Sequence, residues 1–233
     1  MNEEGVKQQL DKIRKAYDLT VEEFKKGTDL LDKLPQEFKN SERFKRFLAS
    51  GKTSNSGSLE YKEYLDPKAG MKFLDVGCSA NLVNYKLYEW SSEYYGIDIS
   101  SKLIEAMKSF VRKNDIQIGG LYVADVSKLP FEDKFFDIVA AIGVLEYFDI
   151  NYIEKALIEL HRVLKPSSKI VLDMPNLKHP DVETMFELEE YLGRPRKNVP
   201  QRKEFEEALT KSFLIEKVDD SCVMIKYFLR KRS

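Results

Sequence analysis

The chain has 233 residues, with 38 lysines and arginines against 39 aspartates and glutamates, for a formal net charge of −1. At 42% hydrophobic and 33% charged residues it can bury a sizeable core, which excludes a disordered chain. The near-zero charge argues against a dedicated nucleic-acid binder, and two cysteines with two histidines exclude a disulfide-dense scaffold or a clustered zinc site, so no metal is expected.

The first ten residues carry no apolar signal core, and no apolar run approaches the roughly 18 residues needed to span a bilayer. No membrane span and a cytoplasmic location are the expectation. Val6, Leu10, Ile13, Tyr17, Val21 and Phe24 recur at three- and four-residue steps, the spacing of one helix face, and Gly27 is a natural stop. Phe38, Phe44, Phe47 and Leu48 after Pro35 predict a shorter helix, and the small polar run 53–58 reads as a hinge. Residues 1–57 are therefore expected to form a helical cover or lid, and 58–233 the main domain.

From Met71 short apolar runs alternate with helical patterns. Strands are predicted at 71–76, 94–99, 121–124, 136–142 and 169–174, and helices at 82–90, 101–113 and 151–164. Strands alternating with helices of this length call for right-handed crossovers and a parallel sheet covered on both faces. Two further helices, 181–192 and 200–212, precede strands at 213–218 and 222–229 joined by the turn Asp219-Asp220-Ser221. The expected fold is α/β: a Rossmann-like, doubly wound, mixed seven-stranded sheet with a C-terminal antiparallel hairpin.

In such a sheet a ligand lies at the carboxyl ends of the strands. The first strand ends Leu74-Asp75-Val76-Gly77-Cys78-Ser79-Ala80-Asn81, where the glycine allows a tight turn. The second ends Gly96-Ile97-Asp98-Ile99-Ser100; an acid roughly 20 residues past a glycine turn is placed to accept both hydroxyls of a ribose. Asp125 follows the third strand, where it can accept from an adenine amino group. Each feature has a plainer explanation, such as a helix cap for Asp98, but their order at successive strand ends points to one nucleotide-like ligand. A dinucleotide fingerprint is absent, because Ser79 and Leu82 occupy the second and third positions of G-x-G-x-x-G.

These residues resemble the class I S-adenosylmethionine-dependent methyltransferases, in particular the type 11, ubiquinone-methylase-like members, over about residues 59–176. Leu74-Asp75-Val76-Gly77-Cys78 and Gly96-Ile97-Asp98-Ile99-Ser100 are similar to the first two family motifs. Ala124-Asp125-Val126, Leu129-Pro130-Phe131 and Phe136-Asp137-Ile138-Val139 are similar to the third and fourth, and His161-Arg162-Val163-Leu164-Lys165-Pro166 to the turn into the fifth strand. The resemblance implies S-adenosyl-L-methionine as cofactor and S-adenosyl-L-homocysteine as product. It implies that Asp75, Gly77 and Cys78 surround the methionine moiety, that Asn81 also belongs to the cofactor site, and that Asp98 holds the ribose. Asp125 and the Val126 amide would read the adenine, with Ile99 or Leu129 on its face. Ala141, Ile142 and Tyr147 would line the methyl end, and Tyr17 would close over the methionine carboxylate if the first helix is a lid. The family's glycines at the positions of Ser79 and Asn81 are absent; Asn81 is expected to keep the turn in a left-handed conformation and Ser79 to cap the next helix.

The implied reaction moves a methyl group to an O, N or C atom of a small-molecule acceptor. Protein or RNA methylation and a non-catalytic binding module of the same fold are the alternatives. The Asn/Asp-Pro-Pro-aromatic motif of nucleic-acid amine methylases is replaced by Gly143-Val144-Leu145-Glu146. Candidate catalytic residues are His179, Tyr147 and Glu146, each with a structural alternative: an exposed loop histidine, an aromatic wall and a structural acid. The helical insertion 181–212 would shape the acceptor pocket. Its run Arg194, Arg196, Lys197, Arg202 and Lys203 meets an anionic acceptor or simply balances the acids around it. The oligomeric state is left open.

Overall fold

The alternation along β1 (Lys72–Val76) sets the layout. Phe73 joins one apolar cluster while Leu74 and Val76 join the other, because successive strand side chains point to opposite faces. The same division continues in β2 (Glu93–Asp98), β3 (Gly120–Val123), β4 (Phe136–Ala141) and β5 (Leu164–Pro175), all parallel to β1. β6 (Phe213–Asp219) and β7 (Met224–Lys231) form an antiparallel hairpin, and β7 joins the sheet antiparallel to β5. The order is β3-β2-β1-β4-β5-β7-β6, so the winding direction reverses between β1 and β4. This computed structural model describes residues 2–50, 57–194 and 199–232. The expected hinge residues 53–56 and two members of the basic run, Arg196 and Lys197, lie outside them.

Four of the helices start where a short polar side chain accepts a backbone N–H. Asn2 caps α1 (Glu3–Lys25), Ser58 caps α4 (Leu59–Leu65), Ser100 caps α6 (Ser101–Lys113) and Asp149 caps α7 (Ile150–Val163). α1 places Ile13 in the larger core cluster. The short α2 (Gln36–Asn40) and α3 (Glu42–Ser50) pack Phe38, Phe44 and Phe47 against Val182 and Met185 of α8 (Val182–Tyr191). α9 (Arg202–Thr210) buries Phe205 and Leu209 in the larger cluster.

Three expectations change. The helix predicted over 82–90 is a four-residue α5 (Asn81–Asn84), a left-handed Lys86 and a 3-10 turn (Leu87–Glu89). In a continuous helix Leu82 and Leu87 would stand about 140° apart; the break lets both reach the same cluster as Trp90. Phe24, read as part of the buried face of α1, is 81% exposed. The last turn of α1 instead packs Val21 and Glu23, and Lys26 and Lys33 both pair with the Glu23 carboxylate. The fifth strand is twice its predicted length: it begins five residues earlier, at Leu164 paired with Phe136 of β4, and ends one residue later, at Pro175 paired with Met224 of β7.

Candidate active site

The site forms at the strand ends around the β1/β4 reversal. Gly77, at φ +66°, turns the chain away from β1, and an added Cβ would lie 2.5 Å from Val144 Cγ2. Two residues on, Ser79 is itself left-handed at φ +40°. Its backbone N–H donates to Asp98 Oδ2 at 3.0 Å, bridging the ends of β1 and β2. The structure corrects both expectations, and α5 has Ala80 at its N-cap with no side-chain cap. Ser79 takes the left-handed turn, whereas Asn81 opens α5 and donates from Nδ2 to Asp75 Oδ2 at 3.3 Å.

Asp98 is 6% exposed. Its Oδ1 accepts the Ser100 N–H at 2.8 Å, so each oxygen holds one backbone donor. Burial pushes its carboxyl up to about 6, against the lowering effect of the Ser100 and Ser79 amides; Asp18 of α1 adds to the rise. Asp18 Oδ1 accepts from Ser100 Oγ at 2.5 Å, tying α1 to the end of β2. At the end of β3, Asp125 Oδ1 accepts the Ser127 N–H at 2.8 Å and the Tyr152 hydroxyl at 2.5 Å. Tyr152 is stacked on Phe148, with ring centroids 3.8 Å apart.

Between these loops and α1 lies an apolar crevice. Among the expected site residues, Tyr17, Gly77, Asp98, Ile99, Val126 and Tyr147 line it. Leu10 and Ile13 of α1 close it from above, while Phe148 and Tyr152 form part of its wall. An adjoining, more polar cavity shares Tyr17, Gly77 and Tyr147, and adds Asn81, Ile142, Glu146, Glu189 and Arg194. Asp125 sits with Ile99 at an outer opening beside Lys7 and Arg14.

The remaining expected residues lie behind or away from these spaces. Asp75, Cys78 and Ala141 are fully buried. Asp75 Oδ2 accepts from the Tyr94 hydroxyl at 3.0 Å. Cys78 packs its thiol in the second core cluster, burial raises it well above the ordinary thiol value, and its N–H donates to Ile97 O at 2.8 Å. Leu129 is buried in the larger cluster. His179 lies in the loop between β5 and α8, lines neither cavity, and accepts the Asp181 N–H on Nδ1 at 3.2 Å. The structure therefore gives it a loop-closing contact and does not bring it to Tyr147 or Glu146.

Glu146 and Tyr147 are 4% exposed on the 3-10 turn after β4. The Tyr147 hydroxyl donates to Glu189 Oε2 at 3.2 Å and lies 3.4 Å from that of Tyr17. Among the described members of the basic run, Arg202 pairs with Glu206 and Asp220, Lys203 approaches Glu207, and Arg194 pairs with Glu189. They form no shared basic patch. Sequence reasoning missed Tyr152, Asp18 and Glu189. Only Tyr152 had a signal, as a large polar aromatic in the first turn of the helix after β4.

A family model described as a methyltransferase domain matches residues 74–172. The 2-phytyl-1,4-naphtoquinone methyltransferase of Nostoc punctiforme is 33% identical over 126 residues, covering 52% of this chain and 54% of that protein. The sterol 4-C-methyltransferase strm-1 of Caenorhabditis elegans is 29% identical over 143 residues, covering 57% and 42%. The chain thus spans about half the length of the curated relatives it matches. The geranyl diphosphate C-methyltransferase of Streptomyces coelicolor, solved with S-adenosyl-L-homocysteine, superposes with a TM-score of 0.60 at 11% identity over 72% of this chain and 73% of that one, a likeness of fold. With the strand-end motifs in sequence order, the matching family model and the seven-stranded sheet, residues 74–172 belong to the class I S-adenosylmethionine-dependent methyltransferases, among the type 11, ubiquinone-methylase-like members.

Proposed function

We propose that this chain binds S-adenosyl-L-methionine in the crevice under α1 and methylates a small-molecule acceptor admitted through the adjoining polar cavity. The observation that carries the reading is Asp98: a buried carboxylate at a strand end, facing a glycine turn, with one backbone donor on each oxygen and lone pairs left for a ligand's hydroxyls. The residues fit the cofactor. Asp98 suits the ribose, Ile99 and Val126 offer apolar faces for the adenine, and Asp125 is held at its edge by Ser127 and Tyr152. The turn at Gly77 lets the backbone approach the methionine end.

When bound, the cofactor supplies a methyl group on a sulfonium that leaves as a neutral thioether. The chain's own residues orient the acceptor and exclude water. Leu10 and Ile13 roof the crevice, and Tyr147 and Glu146 stand where an acceptor would meet it. Alignment of two reactants in this way lowers a barrier by several kcal/mol. Where the acceptor carries an ionisable proton, the Tyr147–Glu189 hydrogen bond provides a route for it. Quinone- and sterol-methylating relatives support a small-molecule acceptor. Two free, buried thiols accord with a reducing cytoplasmic setting, and among the described residues no helix is long and apolar enough to cross a membrane.

Calorimetry with S-adenosyl-L-homocysteine tests cofactor binding; absence of heat with the wild-type chain would overturn the proposal. Transfer of labelled methyl groups, with cell metabolites, protein and RNA offered separately, tests the acceptor class. Label is expected in the small-molecule fraction, and label confined to protein or RNA would refute it.

A further inference from the structure

The helix α8 ends in a way that delivers one cation to the polar cavity. Gly193 is left-handed at φ +75°. Its N–H reaches Glu190 O at 2.9 Å, and the Arg194 N–H reaches Glu189 O at 2.7 Å. This paired closure by a glycine folds the residue after it back over the last turn. Arg194 thereby comes to lie beside Glu189, five residues earlier, a spacing that a continuing helix would put on different faces.

The guanidinium of Arg194 lies 4.7 Å from the centre of the Tyr17 ring. Its Nε is 3.0 Å from Glu189 Oε2, yet the N–H makes no hydrogen bond of acceptable geometry. The side chain is 15% exposed. Among the described residues lining this cavity Arg194 is the one cation, set among Glu146, Glu189 and three tyrosines, with the backbone turn at Gly77 and Ser79 in the same wall. A planar guanidinium is suited to two parallel hydrogen bonds with a carboxylate. Glu189 makes the charge contact without the hydrogen-bond alignment, so it is replaceable by a better-aligned carboxylate.

We propose that Arg194 is the binding residue for a ligand carboxylate, that of the amino-acid end of the cofactor, and that Glu189 occupies the place of this carboxylate until the ligand arrives. The inference rests on the cofactor reading above. The exchange moves no covalent bond: the ligand carboxylate takes the guanidinium, while Glu189 keeps the Tyr147 hydroxyl it already accepts. Tyr17 stacks on Arg194 and touches Tyr147, so the same exchange is felt by α1. Among the described residues, the fit of this cavity for an anionic group comes from Arg194.

Two ligands separate the possibilities: S-adenosyl-L-homocysteine, and 5′-methylthioadenosine, which keeps the adenosine and thioether but lacks the carboxylate. Calorimetry compares them on the wild-type chain, Arg194→Met and Glu189→Gln. Arg194→Met is expected to weaken S-adenosyl-L-homocysteine at least tenfold while leaving 5′-methylthioadenosine within twofold. Glu189→Gln keeps an acceptor for Tyr147 but removes the competing charge, and is expected to tighten S-adenosyl-L-homocysteine severalfold with no change for 5′-methylthioadenosine. A merely structural ion pair predicts that both variants weaken both ligands alike, and that pattern would overturn the proposal. So would an unchanged S-adenosyl-L-homocysteine affinity in Arg194→Met, which sends the arginine to a carboxylate on the acceptor or to none. If the wild-type chain binds neither ligand, the cofactor reading itself has failed; if it binds both and the variants do not discriminate, only the Arg194 assignment has.

Discussion

Asp98→Asn is expected to make the free protein more stable and the ligand weaker. The folded carboxyl is pushed up to about 6 from its ordinary value of 3.8. The folded state thus holds this proton more tightly than the unfolded chain does. Stability falls as pH rises from about 3.8 through 6 and is level above that window, so the ionised group costs about 3 kcal/mol at pH 7. Asparagine removes that cost but offers one carbonyl oxygen where two backbone donors, Ser79 and Ser100, now point at carboxylate oxygens. Losing one of these contacts takes back about 1–2 kcal/mol. The net gain is about 1–2 kcal/mol at pH 8, or about 3–6 °C in melting temperature for a chain of this size, and none at pH 4, where Asp98 is largely protonated in the folded state too. Against this, the ribose loses charge-assisted hydrogen bonds of about 1.5–3 kcal/mol, which makes S-adenosyl-L-homocysteine about 10- to 100-fold weaker. Urea unfolding at pH 4, 6 and 8 with calorimetry at pH 8 measures both. If Asp98→Asn keeps the wild-type fall in stability between pH 4 and 6, the carboxylate is not the desolvated group described, and the reasoning fails.

Gly77→Ala places a Cβ on a left-handed residue 2.5 Å from Val144 Cγ2. Strain and displacement together predict about 2–4 kcal/mol of lost stability by urea unfolding and at least tenfold weaker S-adenosyl-L-homocysteine. Tyr152→Phe deletes the hydroxyl that holds Asp125 and is expected to cost about 1 kcal/mol of stability. Because Asp125 is assigned to the adenine, it should also weaken S-adenosyl-L-homocysteine and 5′-methylthioadenosine equally in calorimetry. Asp18→Ala removes the Ser100 tether of α1, so hydrogen exchange should quicken in residues 3–25 while β1 and β4 stay protected.

The parallel sheet was readable because its strands are buried on both faces and write short apolar runs between helical patterns. The crevice was readable for a different reason: strand ends fix where Gly77, Asp98 and Asp125 must meet, whatever the helices do. Features set by long-range contact were not readable. Glu189 and Arg194 read as ordinary members of a charged insertion until the Gly193 turn brings them to the cavity. Asp18 reads as a solvent-facing helix residue until Ser100 meets it. His179 shows the converse. Its type and its place after a strand suggested chemistry, but the short loop satisfies its Nδ1 with the Asp181 amide. The predicted 82–90 helix failed because helix propensity carried less weight there than burying Leu82, Leu87 and Trp90 together.

The departure from the family's glycines at Ser79 can now be given a sign. A serine held at φ +40° costs about 1–2 kcal/mol relative to glycine in the same conformation. Ser79→Gly relieves that strain but gives the unfolded chain more freedom, a penalty of about 0.5–1 kcal/mol. The contact that the position makes with Asp98 comes from its backbone N–H, so it survives the substitution. Stability is therefore expected to rise by no more than about 1 kcal/mol, with S-adenosyl-L-homocysteine affinity equal or slightly tighter. Ser79→Val keeps the same N–H but brings a β-branched side chain to a left-handed residue, and should lose about 1–2 kcal/mol more than serine does. If Ser79→Gly weakened the ligand tenfold with the fold intact, the serine hydroxyl would be a ligand contact in its own right, and the substitution at this turn would be a gain of recognition instead of a tolerated strain.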